Sequence, residues 1–350
     1  MFKNLLSRII QLLSVVVGLV LLVFILFQAL PGPEQILSGQ RTDNSTREAI
    51  VEELGLDEPV YVQALGYLND VSVISIYAES KTPKGIKGLC ITQGNNYQLW
   101  VKLPYMRKSF QTQQQVSAIL WGAFGGTAVL ALAALIVAGI IGIPLGVLAA
   151  LKANSKLDYT IVGFSTLGIS IPSFFSAMLF SWIFGFVLHD FTGLSMTGSL
   201  YELDALGENY SLRLDHLILP AVALGIRPVA VFIQLTRNTM VEILNQDYIQ
   251  LAKAKGLKES VVIWRHAFPN ALNPIITSIG GWFSSLLAGS FFTEYIFQWK
   301  GLGKVTIEAL QQSDFPIVMG GVLFTACVFF IIHSLTELMY VWIDPRLKHS

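Results

Sequence analysis

Two long stretches without a charged residue constrain this chain more than any other feature. Residues 116–151 and residues 160–188 contain no Asp, Glu, Lys or Arg. A helix that crosses the hydrocarbon core of a bilayer needs about 20 apolar residues. Over the whole chain 53% of residues are hydrophobic and 13% are charged, whereas a soluble domain carries about 25% charged residues. The sequence therefore predicts an all-α polytopic membrane protein.

Six stretches are long and apolar enough to be transmembrane helices. The first has about 22 residues, more than the about 7–15 of a signal-peptide core, and no clear cleavage site follows it. We therefore expect it to be retained as the first span. The six stretches are Ile9–Leu30, a part of Val116–Leu151, a part of Thr160–Leu188, Leu217–Leu235, Ala271–Thr293 and Phe315–Val341.

The basic residues of the short loops predict which side of the membrane each loop occupies. With six spans, four basic segments fall on one side: the N-terminus, residues 152–156, residues 237–265 and the C-terminus. The short loops of the other side hold only Arg213, Lys300 and Lys304. Because cytoplasmic loops carry the excess of Lys and Arg, we expect both termini and the segment 238–270 in the cytoplasm.

This topology divides the chain into four parts. Residues 1–30 form the first transmembrane helix, and residues 31–115 form a small extracytoplasmic insert. Residues 116–345 form a transmembrane domain of five helices, and residues 346–350 form a cytoplasmic tail. The lysines of the insert do not contradict this orientation, because long translocated segments escape the charge bias.

The segment 238–270 is too polar to cross the membrane, yet it carries an apolar pattern with helical spacing. Its sequence predicts a helix, a left-handed turn at Gly256 and a second helix. An apolar stripe outside the membrane has to be buried against something. The chain's own helix ends and a partner protein both remain open on pattern alone. The apolar positions are Met240, Leu244, Tyr248, Leu251 and Ala252 on the first arm and Val261, Trp264 and Phe268 on the second.

The first arm and its turn, Asp247–Leu257, read DYIQLAKAKGL. This stretch resembles the cytoplasmic loop of ABC importer permeases, in the version of the dipeptide, oligopeptide and nickel branch. The general family motif differs at Gln250, Leu251 and His266, whereas the branch version fits. The insert around Val71–Leu99 does not resemble the branch. Further stretches resemble it in the same order: 54–57, 217–220, 235–237, 294–297, 301–303, 314–316 and 344–346.

The resemblance implies a type I ABC importer permease fold in the inner membrane. It implies a second permease subunit, two ABC ATPase subunits that hydrolyse the ATP, and an extracytoplasmic solute-binding protein as partners. The permease itself is then no enzyme and needs no cofactor. Peptides, glutathione and nickel chelates all stay open as the transported solute. The residues expected to couple the permease to its ATPase are Tyr248, Ala252, Ala254, Lys255, Gly256 and Leu257.

Several other candidate sites do not fit their chemistry. Gly301–Lys304 lacks the spacing and the Ser or Thr of a phosphate-binding loop. His333 and Glu337 supply two ligands, which do not close a metal site, so a local hydrogen bond is expected. Because Lys+Arg and Asp+Glu are both 23, the net charge gives no reason to expect nucleic-acid binding.

Arg227 interrupts the fourth predicted span, where a charge is costly and usually faces a cavity or a partner. One interpretation places it on a transport pathway, where it meets an anionic group. The other is an ion pair between helices, with Glu294 or Glu337 as the partner.

Two other classes of membrane protein compete with the importer interpretation. A secondary transporter or a channel is expected to show intramembrane carboxylates or inverted repeats. The sequence shows no repeat, and its candidate intramembrane carboxylate, Glu337, lies near a helix end. A membrane-embedded hydrolase or transferase needs converging polar residues within its spans, which the pattern does not supply.

Overall fold

The computed structural model describes residues 2–29, 58–78, 86, 88–93, 97–203 and 209–343. Most of these residues are helical, in thirteen α-helices with two π-helical turns at Ile183–Val187 and Val262–Ala267. The tail 346–350, the motifs at 54–57 and 344–346 and part of the insert lie outside the described residues. The α-helices are α1 Phe2–Ala29, α2 Val60–Val71, α3 Val116–Leu151, α4 Lys156–Ser170, α5 Ser173–Trp182, α6 His189–Thr192, α7 Asp215–Leu244, α8 Asp247–Ala254, α9 Glu259–Val261, α10 Phe268–Gly289, α11 Phe291–Ile296, α12 Leu302–Gln311 and α13 Phe315–Ile343.

Five short strands make the described part of the chain mostly helical rather than purely helical. The strands β1 (Ile74–Ala78), β2 (Gly88–Gln93) and β3 (Tyr97–Lys102) form an antiparallel sheet in the order β1-β3-β2. Ile76 lies opposite Leu99, and a β-bulge interrupts β2 after Cys90. The strands β4 (Tyr201–Leu203) and β5 (Tyr210–Leu212) form a separate hairpin.

The chain divides into two compact units, of which the first comprises Met1–Ala123 and Val305–Cys327. Its apolar core brings α1 and α2 together with the start of α13, through Val20, Tyr67 and Met319. A polar hub lies beside this core. Asp70 of α2 accepts hydrogen bonds from the Tyr77 hydroxyl, at 3.0 Å, and from Nε of Arg107, at 2.8 Å.

The hub joins β3, the central strand of the sheet, to α2. Nζ of Lys102, at the end of β3, donates to the backbone oxygen of Asp70. Burial lowers the pKa of the Lys102 ammonium, and the charge of Asp70 opposes this shift. The described part of the insert therefore has its own buried polar contacts, as its composition suggests.

The second unit comprises Phe124–Lys304 and Val328–Ser350, and α7 runs through its centre. Glycines of α3 allow this helix to approach α7 closely. A Cβ at Gly142 would lie 2.8 Å from Cβ of Phe232, and a Cβ at Gly146 would lie 2.6 Å from Cβ of Thr236. The helices α4 and α10 also pack against α7. The small residues of the sequence thus serve helix packing, as expected for a membrane protein.

Three described helices are long and apolar enough to cross a membrane: Val116–Leu151, Asp215–Leu244 and Phe315–Glu337. They match the second, fourth and sixth predicted spans. The third predicted span is not one helix, because α4 and the following helix to Val187 meet at an angle of 106° around Pro172. Counting this pair as one span gives four. The total of six spans stays a prediction.

Candidate coupling segment and intramembrane arginine

The segment 238–270 has the predicted order of helix, glycine turn and helix. Helix α7 ends at Leu244, and α8 follows after two residues. At the end of α8, Gly256 has a φ of 76°, and its N–H donates to the oxygen of Lys253 at 2.9 Å. The left-handed turn predicted for Gly256 is confirmed. The second arm consists of α9 and the π-helical turn Val262–Ala267, and it leads directly into α10.

The buried side of α8 packs against the chain itself. Ile249 is fully buried and Ala252 is 8% exposed. Both belong to an apolar cluster with Met240 of α7, Val147 of α3 and Val262 of the second arm. The prediction that Ala252 faces inward is confirmed. Tyr248 and Leu251, which the spacing placed on the same stripe as Ala252, are exposed instead, because α8 begins anew at Asp247 and does not continue the phase of α7.

The outward side of the segment carries large apolar side chains. Tyr248 is 42% exposed, Leu251 56%, Leu257 42% and Trp264 57%. We call these four residues the hairpin surface. Exposed aromatic and aliphatic groups of this kind mark interaction sites. The first arm is tied to the start of α10, where Nδ2 of Asn270 donates to the Tyr248 hydroxyl at 3.0 Å.

Exposed charges of both signs lie in the same segment. The predicted coupling residues Ala254 and Lys255 are exposed as well. Asp247 lies in the first turn of α8 and Lys253 in its last turn. Each charge is opposite in sign to the end of the helix dipole beside it, which is favourable. The exposed basic residues of the segment are Lys253, Lys255, Lys258 and Arg265.

Arg227 lies near the middle of α7 with its side chain exposed. It forms no ion pair or side-chain hydrogen bond with any residue that the structure describes. The pair with Glu294 considered above is wrong, because Glu294 is fully buried elsewhere. Its carboxylate accepts from the Ser290 hydroxyl at 2.7 Å and from the N–H of Gly303 at 2.7 Å.

The Gly301–Lys304 turn thus donates to a carboxylate of its own chain. The N–H of Lys304 also points to Glu294, at 3.3 Å, so the carboxyl group of Glu294 caps the N-terminus of α12. The predicted local contact between His333 and Glu337 is confirmed, with 3.3 Å between Nε2 and Oε1. Within the described ranges, no group of three His, Cys, Asp or Glu side chains is placed to hold a metal ion.

A buried ion pair that the sequence did not indicate joins α4 to α7. Nη2 of Arg237 lies 2.7 Å from Oδ2 of Asp158, and Nε lies 3.1 Å from Oδ1. The backbone N–H of Asn154 also donates to Asp158, at 2.9 Å. The two charges are far apart in the chain, so no local spacing could have revealed the pair. It fixes α4 to α7 just before the 238–270 segment begins.

Comparison with known families covers nearly the whole chain. A family described as "Binding-protein-dependent transport system inner membrane component" matches residues 142–349. The corresponding family for the N-terminal part of such membrane components matches residues 1–131, a range that includes the insert.

Individual relatives extend over the full length. The dipeptide transport system permease protein DppB of Escherichia coli (strain K12) is 34% identical over 371 residues, covering 100% of both chains. DppB of Alkalihalophilus pseudofirmus (strain ATCC BAA-2126 / JCM 17055 / OF4) is 32% identical, covering 98% of both. The oligopeptide transport system permease protein AppB of Bacillus subtilis (strain 168) is 31% identical, covering 100% of both.

Two crystal forms of the methionine ABC transporter MetNI in inward-facing conformations share the fold. They superpose with TM-scores of 0.50 and 0.51 at 15% and 16% identity, covering 65% of this chain and 97% and 96% of the matched chains. The family match decides between the importer interpretation and its alternatives. The chain belongs to the inner-membrane permease components of binding-protein-dependent ABC transport systems.

Proposed function

We propose that this permease carries peptides, and that the 238–270 segment couples it to separate ATPase subunits. The peptide assignment rests on relatives that match the whole chain and are named dipeptide or oligopeptide permeases. A second permease subunit, two ABC ATPase subunits and an extracytoplasmic solute-binding protein complete the importer. In this proposal both termini lie in the cytoplasm with the segment, and the ATPase subunits hydrolyse the ATP.

The observation that carries the coupling role is the division of the segment into two sides. Its inner side is anchored through Ile249 and Ala252 in a cluster that also contains Met240 of α7. Its outer side exposes the apolar hairpin surface. A rigid element with an apolar outer face is suited to lie in a groove of a partner.

The connection to the membrane domain is short. Only Asn245 and Gln246 separate α7 from α8, and the apolar cluster fixes α8 on the end of α7. Because packed interiors move as units, a displacement of α8 by a closing ATPase pair displaces α7 as well. Arg227 lies on that same helix, so the motion reaches the middle of the membrane domain.

Leu251 offers the sharpest test of the docking role, because it is exposed and Ala252 beside it is not. Leu251→Asp places a charge on the hairpin surface without disturbing the apolar cluster of the chain. We expect co-purification of the ATPase to fall at least about tenfold, since the centre of an interface tolerates a charge poorly. Uptake of a dipeptide falls with it. The measurements are ATPase retention on the affinity-purified permease and uptake in reconstituted vesicles.

Two further variants separate docking from folding. Leu251→Met keeps an apolar side chain of similar volume and retains the ATPase. Ala252→Glu forces a charge into the apolar cluster and lowers the melting temperature of the permease alone. If Leu251→Asp retained the ATPase and full uptake, the segment would not be the coupling element.

A further inference from the structure

Helix α10 carries three polar residues and a glycine along one side. Asn273, Thr277, Gly281 and Ser285 are spaced four residues apart and lie on one side of the helix. The first two and the last are exposed, and Gly281 has open space where a Cβ would be. The amide of Asn273 forms no hydrogen bond with any side chain or backbone group that the structure describes.

Helix α7 carries a second stripe of this kind. Arg227, Val231, Gln234 and Asn238 recur every three or four residues, and all are exposed or half-buried. The residues on the opposite side, such as Phe232 and Thr236, are fully buried. Three of the four stripe residues are polar.

Helix α4 supplies a third stripe beside that of α7. Gly163, Thr166 and Ser170 follow one another at spacings of three and four, with Thr166 and Ser170 exposed. Nε2 of Gln234 lies 3.2 Å from the Ser165 hydroxyl and 3.5 Å from the Thr166 hydroxyl. The stripes of α4 and α7 therefore adjoin, and α10 packs on the same α7.

A lipid-facing position is unfavourable for two of these residues, Arg227 and Asn273. The hydroxyls of Thr166, Ser170 and Thr277 donate to their own helix one turn back, which makes them tolerable in lipid. The guanidinium of Arg227 and the amide of Asn273 have no such partner. Polar groups inside the membrane without a partner face water or a bound polar solute.

We infer that these three stripes line the water-filled path of the importer, and that Arg227 binds the carboxylate of the substrate on its way through. The inference rests on the proposed peptide function. It adds which residues line the path and which class of solute they favour. Arg227 is the single charged side chain on the three stripes, and it has no counter-charge among the described residues. The other lining residues are uncharged, and most of them carry a hydroxyl or amide group. This lining matches a zwitterionic or anionic solute and offers no carboxylate to a metal cation.

Thiol accessibility tests the lining. In a chain with Cys90→Ser and Cys327→Ala, cysteines are introduced at pairs of exposed positions on the same helix. One member of each pair lies on a polar stripe and the other on an apolar face: Asn273→Cys with Ile276→Cys, and Thr166→Cys with Leu167→Cys. The assembled importer in permeabilised membranes is treated with a charged methanethiosulfonate. Because thiols react as thiolates, which form in water, the stripe positions react at least about tenfold faster than their partners.

Two labelling results would contradict the inference. Equal rates within each pair would mean that the stripes do not face water. Protection of Asn273→Cys and Thr166→Cys in every nucleotide state would mean that a partner subunit covers them. Either outcome overturns the lining, while uptake of a dipeptide by the wild-type importer would still uphold the proposed function.

Two substitutions test the role of Arg227 in the same preparation. Arg227→Gln lowers dipeptide uptake at least about tenfold, because a desolvated carboxylate loses its charged partner. Arg227→Lys keeps the charge and retains uptake within about threefold. ATPase retention and the melting temperature stay at wild-type values in both. Full uptake by Arg227→Gln, or a joint loss of uptake and melting temperature, would remove Arg227 from the path.

Discussion

At the scale of single residues, Gly256 shows a role that depends on backbone conformation alone. Its φ is 76°, and a Cβ built there would meet nothing within 4 Å. A side chain at Gly256 therefore causes strain in the backbone but no clash. We expect Gly256→Val to destabilise the turn by about 1–2 kcal/mol, whereas Gly256→Asn costs less because Asn adopts left-handed conformations more readily.

The measurement is ATPase co-purification together with the melting temperature of the permease. The Asn variant serves as the control for the loss of glycine as such. The valine variant loses more ATPase than the asparagine variant, while both insert into the membrane normally. Equal behaviour of the two variants would show that the positive φ is not needed for docking.

The residues of this segment also show what a pattern can and cannot predict. Gly256 follows a run of helical spacing, so its role at the turn was accessible from the sequence. That Tyr248 and Met240 lie on different sides was not accessible, because it depends on the break at Asn245 and Gln246. That break shifts the buried position by one residue, to Ile249. The N–H groups of Gly303 and Lys304 that bind Glu294 were equally hidden, because backbone N–H groups leave no trace in a sequence.

At the scale of secondary-structure elements, the pair Asp158–Arg237 fixes α4 to α7. Asp158 is buried and Arg237 partly buried. Removal of one partner from a buried, hydrogen-bonded pair costs on the order of 2–5 kcal/mol. We therefore expect Asp158→Asn to lower the melting temperature of the purified permease clearly. Arg237→Lys has a smaller effect in the same direction, since lysine keeps the charge but cannot form the bidentate hydrogen bonds of arginine.

The chain offers a matched control for this prediction. Asp215 binds Arg213 with the same geometry, at 3.0 and 2.8 Å, but both side chains are exposed. Exposed pairs contribute about 0–1 kcal/mol, so Asp215→Asn leaves the melting temperature nearly unchanged. Equal losses for Asp158→Asn and Asp215→Asn would contradict the role assigned to burial.

The elements also differ in how well the sequence predicted them. The helix α3 agrees with its predicted span, because a run of 36 uncharged residues is compatible with few structures other than a transmembrane helix. The third span looked equally apolar, yet it bends by 106° at Pro172. Hydropathy averages over a window and does not register a bend.

At the scale of the whole molecule, order and spacing of short motifs carried the identification. The fragments Asp247–Leu257 and Glu294–Phe297 are not specific when taken one at a time. The order in which such fragments follow one another along the chain is specific. The family matches over residues 1–131 and 142–349 confirm that interpretation. The partners could be inferred only through the resemblance, since a chain that lacks a phosphate-binding loop does not reveal which ATPase it uses.

Orientation in the membrane is the last property of the whole chain that the charge distribution predicts. The native Cys90 is exposed and lies in the insert, so the wild-type chain carries its own reporter for the outer side. In right-side-out vesicles, an impermeant maleimide labels the wild-type chain, and Cys90→Ser removes this label. A cysteine placed at the exposed Lys258, in a chain with Cys90→Ser, is labelled only after the vesicles are opened. We expect this because the excess of Lys and Arg in its loop predicts the cytoplasmic side. Labelling at position 258 in sealed vesicles would invert the topology, and it would place the 238–270 segment out of reach of any ATPase.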